Sequence, residues 1–130
     1  MNRLIIAGSR QLVVTSADID REFRLMFPML KPTDLECVVT GCAPGPDSAG
    51  ERWALEHCIK VQQFPADWGR YGRAAGPVRN QEMADYGTCL MAFYDGRSKG
   101  TADMIRRMKA QGKRAYVIQP RHVLDTDAAD

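Results

Sequence analysis

The chain has 130 residues, 45% of them hydrophobic, which suits one domain with an enclosed core and argues against a second. Its 18 Lys and Arg against 16 Asp and Glu leave a net charge of +2, too little for nucleic-acid binding through bulk charge, so any basic function has to be local. Four cysteines without a CxxC pair or a zinc-type His spacing read as small buried hydrophobes, and the apolar run before Gly8 is too short for a signal peptide or a membrane span, which predicts a cytoplasmic location, no membrane partner and no metal.

In chain order, Leu4 to Ala7 is a short apolar run stopped by Gly8, as in a strand buried on both faces. Thr15 to Asp18 offer capping side chains, and Ile19, Phe23, Met26, Phe27 and Leu30 recur at helical spacing, predicting an amphipathic helix that runs until Pro32. Cys37 to Thr40 reads as the second strand, closed by Gly41, and Asp47 is placed to cap a helix carrying Ala49, Trp53, Ala54 and Cys58. Ile59 to Phe64 is a weaker third strand ended by Pro65, suited to a sheet edge.

Residues 65 to 77 hold two Pro and three Gly around Trp68 and Tyr71, and predict a long irregular loop of the kind that is often functional. Val78 to Tyr86 suits a short helix, Cys89 to Tyr94 a fourth strand ended by Asp95-Gly96, Thr101 to Gln111 a last helix, and Ala115 to Ile118 a fifth strand. The domain is thus expected over residues 1–120, followed by a small acidic tail at 121–130 that is expected to be disordered. Strands alternating with helices imply an α/β fold: a single Rossmann-like three-layer domain with a mainly parallel five-stranded sheet.

In such sheets ligands lie beyond the carboxyl ends of the strands. Three strand ends carry glycine-bearing loops that lead into helices: Gly8-Ser9-Arg10, the loop from Thr40-Gly41 through Gly45-Pro46-Asp47, and Asp95-Gly96-Arg97-Ser98-Lys99-Gly100-Thr101. Glycine admits close backbone approach, and a helix N-terminus offers free N–H groups to an anion, so phosphate is the natural guest. Arg10, Arg70, Arg73, Arg79, Arg97 and Lys99 lie in or beside these loops. Trp68 and Tyr71 can either stack on a base or hold the long loop to the core. Neither GxxxxGK[ST] nor GxGxxG occurs, which disfavours ATP hydrolysis and standard nicotinamide chemistry. His57, expected mid-helix, and His122 have no nucleophile-elbow serine to serve.

These blocks, together with Gly76-Pro77-Val78-Arg79-Asn80-Gln81-Glu82-Met83, resemble the YspA-like branch of the SLOG superfamily of Rossmann-like nucleotide-binding domains, over about residues 3 to 118. The resemblance implies a nucleotide-type ligand, an ADP-ribose-like signal among the options, held by Gly8, Ser9, Arg10, Thr40, Gly41, Gly45, Asp47, Arg79, Asn80, Asp95, Gly96, Ser98, Gly100 and Thr101, with no further cofactor. The superfamily also contains the "lonely guy" phosphoribohydrolases. Their Arg and Met four residues apart are matched by Arg79 and Met83, but their glutamate three residues after the Gly-Thr pair is replaced by Met104. Cys42 stands where the family's loop more often carries a second Gly. An alternative function is therefore cleavage or transfer at a nucleotide N-glycosidic bond, with Arg79, Glu82 and Asp95 as catalytic candidates. A lesser one is single-stranded nucleic-acid binding, as in a distant branch. Self-association is also expected, through faces such as Phe23, Met26 and Phe27 or Met104 and Met108.

Overall fold

A computed structural model describes residues 1–119; the tail expected at 121–130, with His122, lies outside the described residues. Five strands, β1 (Arg3–Gly8), β2 (Cys37–Thr40), β3 (Val61–Gln63), β4 (Cys89–Phe93) and β5 (Arg114–Ile118), form one all-parallel sheet in the order β3-β2-β1-β4-β5. Leu4 pairs with Val38 on one side and Cys89 on the other, and Leu90 pairs with Ala115. The chain first winds outward from β1 through β2 to β3, then crosses to β4 and β5. The order therefore reverses between β1 and β4, where open α/β sheets form their ligand crevice.

Residues alternate between faces as the pleat requires. Leu4, Ile6, Val38 and Met91 pack under α1 (Ser16–Met26) and α2 (Pro46–Glu56), with Phe23 and Trp53 fully buried among them. Ile5, Ala7, Val39 and Leu90 pack under α4 (Ala75–Tyr86) and α5 (Lys99–Ala110), with Met83, Met104 and Met108. Between β3 and α4 lies the one-turn helix α3 (Trp68–Tyr71).

Several elements depart from their sequence reading. The first helix stops at Met26 because Pro28 follows, restricting Phe27 to a non-helical backbone (φ −131°, ψ 71°). The stretch at 65–77 is irregular only as far as Asp67: α3, capped by the Asp67 side chain, then runs through a 3-10 turn directly into α4, which takes in Gly76 and Pro77 in its first turn. Helix α5 begins at Lys99, two residues earlier than expected, because the Ser98 hydroxyl accepts from the Thr101 N–H. His57 is the C-terminal cap of α2, not a mid-helix residue, packed on Trp53 and 3.5 Å from Asp20.

Cys37 and Cys89 are buried, but Cys42 and Cys58 are exposed and have positive φ, so those two are turn residues and not core hydrophobes. The faces expected to drive self-association are the core itself: Phe23, Met26, Met104 and Met108 are all at most 2% exposed, covered by the sheet. No helix among the described residues is long and apolar enough to cross a membrane.

Candidate functional site

All strands being parallel, the three glycine-bearing loops emerge at one end of the sheet. They border three adjoining clefts. A small central one of about 80 Å³ lies at the end of β1 and is walled by Arg10, Ala43, Asp47, Arg79, Ser98 and Gly100, with Met83 and Met104 among its apolar lining. A second, of about 200 Å³, shares Arg10 and Arg79 and is lined by Pro44, Pro65, Ala66 and Trp68. A third, of about 420 Å³, runs from Arg10 to Asp95, Arg97 and Ser98.

Two helices longer than two turns start at the central cleft. Helix α5 leaves the amides of Lys99 and Gly100 without intrahelical partners. Helix α2 starts from Gly45, whose φ of 83° and ψ of −131° suit glycine, and a Cβ there would come within 2.8 Å of the Arg10 carbonyl oxygen. Gly45 thus anchors the Arg10 loop against α2 without lining a cleft. Asp47 is not the cap that its position suggested. It stands in the first turn of α2, and its Oδ2 accepts from the Ala43 N–H at 3.2 Å. Burial pushes its carboxyl up to about 6, against the pull of that amide and of Arg79.

Arg79 reaches from α4 across the ends of the sheet. Its Nη1 donates to the carbonyl oxygens of Gly41 and Phe64, and its Nε donates to Asn80 Oδ1. The missing Cβ of Gly41 makes the room, since one there would lie 2.7 Å from Nη1. Asn80 spends its own donors on the Gly100 carbonyl and on Asp103 Oδ2, and Asp103 also accepts from Arg106 and Arg107. Burial works to raise the Asp103 carboxyl, yet the hydrogen bonds from Arg107 and Asn80 outweigh it and hold the group below its usual range. Asp103 was missed in the sequence, although an Asp with Arg three and four residues later is a helix-pair signal.

Of the expected ligand contacts, Gly8, Ser9, Arg10, Gly41, Asp47, Arg79, Asn80, Asp95, Ser98, Gly100 and Thr101 line the clefts. Thr40 and Gly96 do not. Thr40 is 1% exposed, and its hydroxyl donates to Glu51 and accepts from the Cys42 N–H, so it fastens the β2 loop. Ser9 is spent likewise, its hydroxyl accepting from the Asp95 N–H. Among the catalytic candidates, Glu82 is exposed on α4 and lines none of the three clefts. Asp95 Oδ1 accepts from the N–H groups of Arg97 and Ser98, which lower its pKa and commit it to the turn. Met104, where phosphoribohydrolases place glutamate, adds an apolar wall. Arg97 joins Arg10 and Arg79 at the clefts, whereas Arg70 lies over Tyr71 and Arg73 and Lys99 are exposed. Trp68 is 55% exposed at the rim of the second cleft, so it does not pin its segment to the core.

Fold and clefts define a doubly wound, all-parallel Rossmann-like α/β domain with an open crevice at its switch point. The Gene 61 protein of Mycobacterium phage D29 is 33% identical over 123 residues, covering 86% of this chain and 92% of that protein. The chain belongs to the family of that phage protein. No family model matches the chain, and no solved structure matches it.

Proposed function

We propose that the domain binds a phosphorylated, nucleotide-type ligand at the carboxyl ends of β1 and β4, as the resemblance to SLOG domains also suggests. The observation that carries this reading is the convergence on one cleft of the N-terminus of α5, the first turn of α2 and the guanidinium groups of Arg10 and Arg79. Unpaired helix amides and arginines together favour a phosphate over a neutral guest. Gly100 supports it. Its φ is not positive and a Cβ there would meet no protein atom within 4 Å, so neither backbone nor packing requires glycine, whereas a ligand seated on the helix end does.

The second cleft, with Trp68 at its rim between Pro44 and Pro65, suits a flat base next to that phosphate. Glycosidic chemistry is not favoured, because Glu82 lies outside the clefts and Asp95 is engaged by its own turn. Calorimetric titration with AMP and ADP-ribose tests the reading through two arginines. Arg10 is exposed and borders all three clefts, so Arg10→Ala should weaken binding about tenfold to a hundredfold, the worth of a charge-assisted hydrogen bond, with the melting temperature unchanged. Arg79→Ala should lower both affinity and melting temperature, because Arg79 also ties α4 to Gly41 and Phe64. Wild-type affinity retained by Arg10→Ala would overturn the assignment.

A further inference from the structure

We propose that Asp47 is the cleft's acceptor for the hydroxyl groups of its ligand, so that the domain selects a phosphorylated sugar over a bare phosphate ester. This deepens the phosphate-site reading and rests on it. Asp47 is 5% exposed, and it lines the central cleft. Its Oδ2 takes the Ala43 N–H, and Oδ2 is also the oxygen turned toward Gly41. The Gly41 backbone amide also pulls on this carboxyl, and no side chain among the described residues donates to Oδ1. Since none of the described buried side-chain oxygens is left without a partner, Oδ1 keeps its contact with the outside, and the cleft is the surface that Asp47 lines.

The charged groups that share this cleft with Asp47 are donors, the guanidinium groups of Arg10 and Arg79, as are the amides that open α5; the Asn80 amide is taken up by Arg79, Gly100 and Asp103, and the Ser98 and Thr101 hydroxyls bond each other. A phosphate satisfies donors but offers nothing to a carboxylate oxygen, and its own charge would oppose Asp47 at close range. A buried acceptor facing a donor-lined cleft therefore calls for a ligand with both kinds of group, anionic at one end and hydroxylated beside it. A ribose phosphate has that pattern. Its ring would lie against Asp47, between a phosphate at the α5 end and the Trp68 cleft, which shares Arg10, Ala43 and Arg79 with the central one. Asp95 and Glu82 were the carboxylates singled out in the sequence for work at a sugar, and Asp47 takes that place because it alone of the three is buried with an oxygen open to the cleft.

Titration of the full chain with ribose 5-phosphate, ethyl phosphate and inorganic phosphate tests this. Ethyl phosphate is a monoester of the same charge without hydroxyls. The expected result is affinity for ribose 5-phosphate at least tenfold above that for ethyl phosphate, with the preference erased in Asp47→Asn and inorganic phosphate bound at least as tightly by the variant as by the wild type. In the wild type, the carboxyl carbon-13 resonance of Asp47 should move on adding ribose 5-phosphate and stay in place with ethyl phosphate. Equal affinity for the two esters, a preference that survives in folded Asp47→Asn, or an unmoved Asp47 resonance would each overturn the hydroxyl contact while leaving phosphate binding intact. Failure of all three compounds to bind would overturn the phosphate site as well.

Discussion

At the scale of single residues, Asp47 is where the domain sacrifices stability for a group in the right place. Burial pushes its carboxyl up to about 6 in the fold, from the ordinary 3.8 of an aspartate in water. A raised acid pKa means that the folded chain holds a proton more tightly than the unfolded one between those values, so stability falls as pH rises from about 4 to about 6 and stays low above. At roughly 1.4 kcal/mol per pH unit, the loss amounts to about 3 kcal/mol. Asn at this position keeps an oxygen for the Ala43 N–H and carries no charge to bury. Urea unfolding of Asp47→Asn at pH 7.5 should therefore show it more stable than wild type by up to about 3 kcal/mol, with the difference disappearing near pH 4. A wild type equally stable at both pH values relative to the variant would show that Asp47 is not desolvated. Gly100 gives the same opposition from the other helix. Alanine there should leave stability unchanged or raise it by up to about 1 kcal/mol, since it removes a helical glycine without a clash, and should weaken ligand binding at least tenfold. A melting curve and a titration on the one variant read both effects.

At the scale of elements, the sequence was legible where side chains repeat with the period of the structure they build. The four-residue apolar runs at Leu4 and Cys37 are strands buried on both faces, and Thr15 caps α1 through a full capping box with Asp18. Legibility failed where one residue's backbone overrides a pattern. The apolar spacing of α1 continues through Phe27 to Leu30, yet Pro28 ends the helix. The glycines and prolines at 65–77 resemble a loop, but Pro77 sits in the first turn of α4, where no intrahelical N–H bond is lost. The site divides in the same way. Loops ending strands in a parallel sheet had to meet at one end, so Gly8, Arg10, Asp47 and Gly100 could be gathered from order alone, while Arg79, on α4, came with the resemblance to SLOG domains. Which side chains remain free for a ligand depends on hydrogen bonds that the sequence does not encode locally. Thr40 is spent on Glu51, Ser9 on Asp95 and Asp95 on its own turn, whereas Asp47 commits only Oδ2, to the Ala43 N–H, in the interior beside the cleft, and Arg10 has no side-chain hydrogen bond among the described residues. The sequence pattern accordingly points to Asp95 and Glu82 as the working carboxylates and to Asp47 as a helix cap and one of the ligand contacts. Gly45 makes the cost of such a turn measurable: Gly45→Ala should destabilise the domain by about 1–3 kcal/mol, through a positive φ and a clash with the Arg10 carbonyl, as read by thermal melting.

At the scale of the whole molecule, the two faces of the sheet are held differently. The α1 and α2 side is closed by large side chains, with Phe23 and Trp53 rings 5.2 Å apart and both fully buried. On the other side, α4 buries only Ala75, Asn80, Met83 and Ala84, too little apolar surface to hold a twelve-residue helix firmly. Polar bonds make up the difference. Arg79 grips the ends of β2 and β3, Lys113 donates to the Ala84 carbonyl, and Asn80 and Arg107 both bind Asp103. Because α4 carries Arg79 and α5 carries Gly100, this clamp also sets the width of the central cleft. Removing Asp103 would leave the amide of Asn80 and the guanidinium of Arg107 facing each other without the carboxylate between them. Asp103→Ala should thus destabilise the fold by about 2–4 kcal/mol, the range for breaking a buried, charge-assisted cluster. The loss should not be uniform. Hydrogen exchange should quicken most in α4 and the first turn of α5, while β1, β2 and the amides under Trp53 keep protection close to the new global limit. Because the Asp103 carboxyl is held below its usual range, its contribution is present above about pH 4 and disappears as pH falls through its lowered folded value. Wild type and Asp103→Ala should then converge in stability in strong acid. Uniform loss of protection across both faces, or a stability difference that persists in strong acid, would mean that α4 is held by its apolar contacts after all and that the cleft does not depend on the Asp103 cluster.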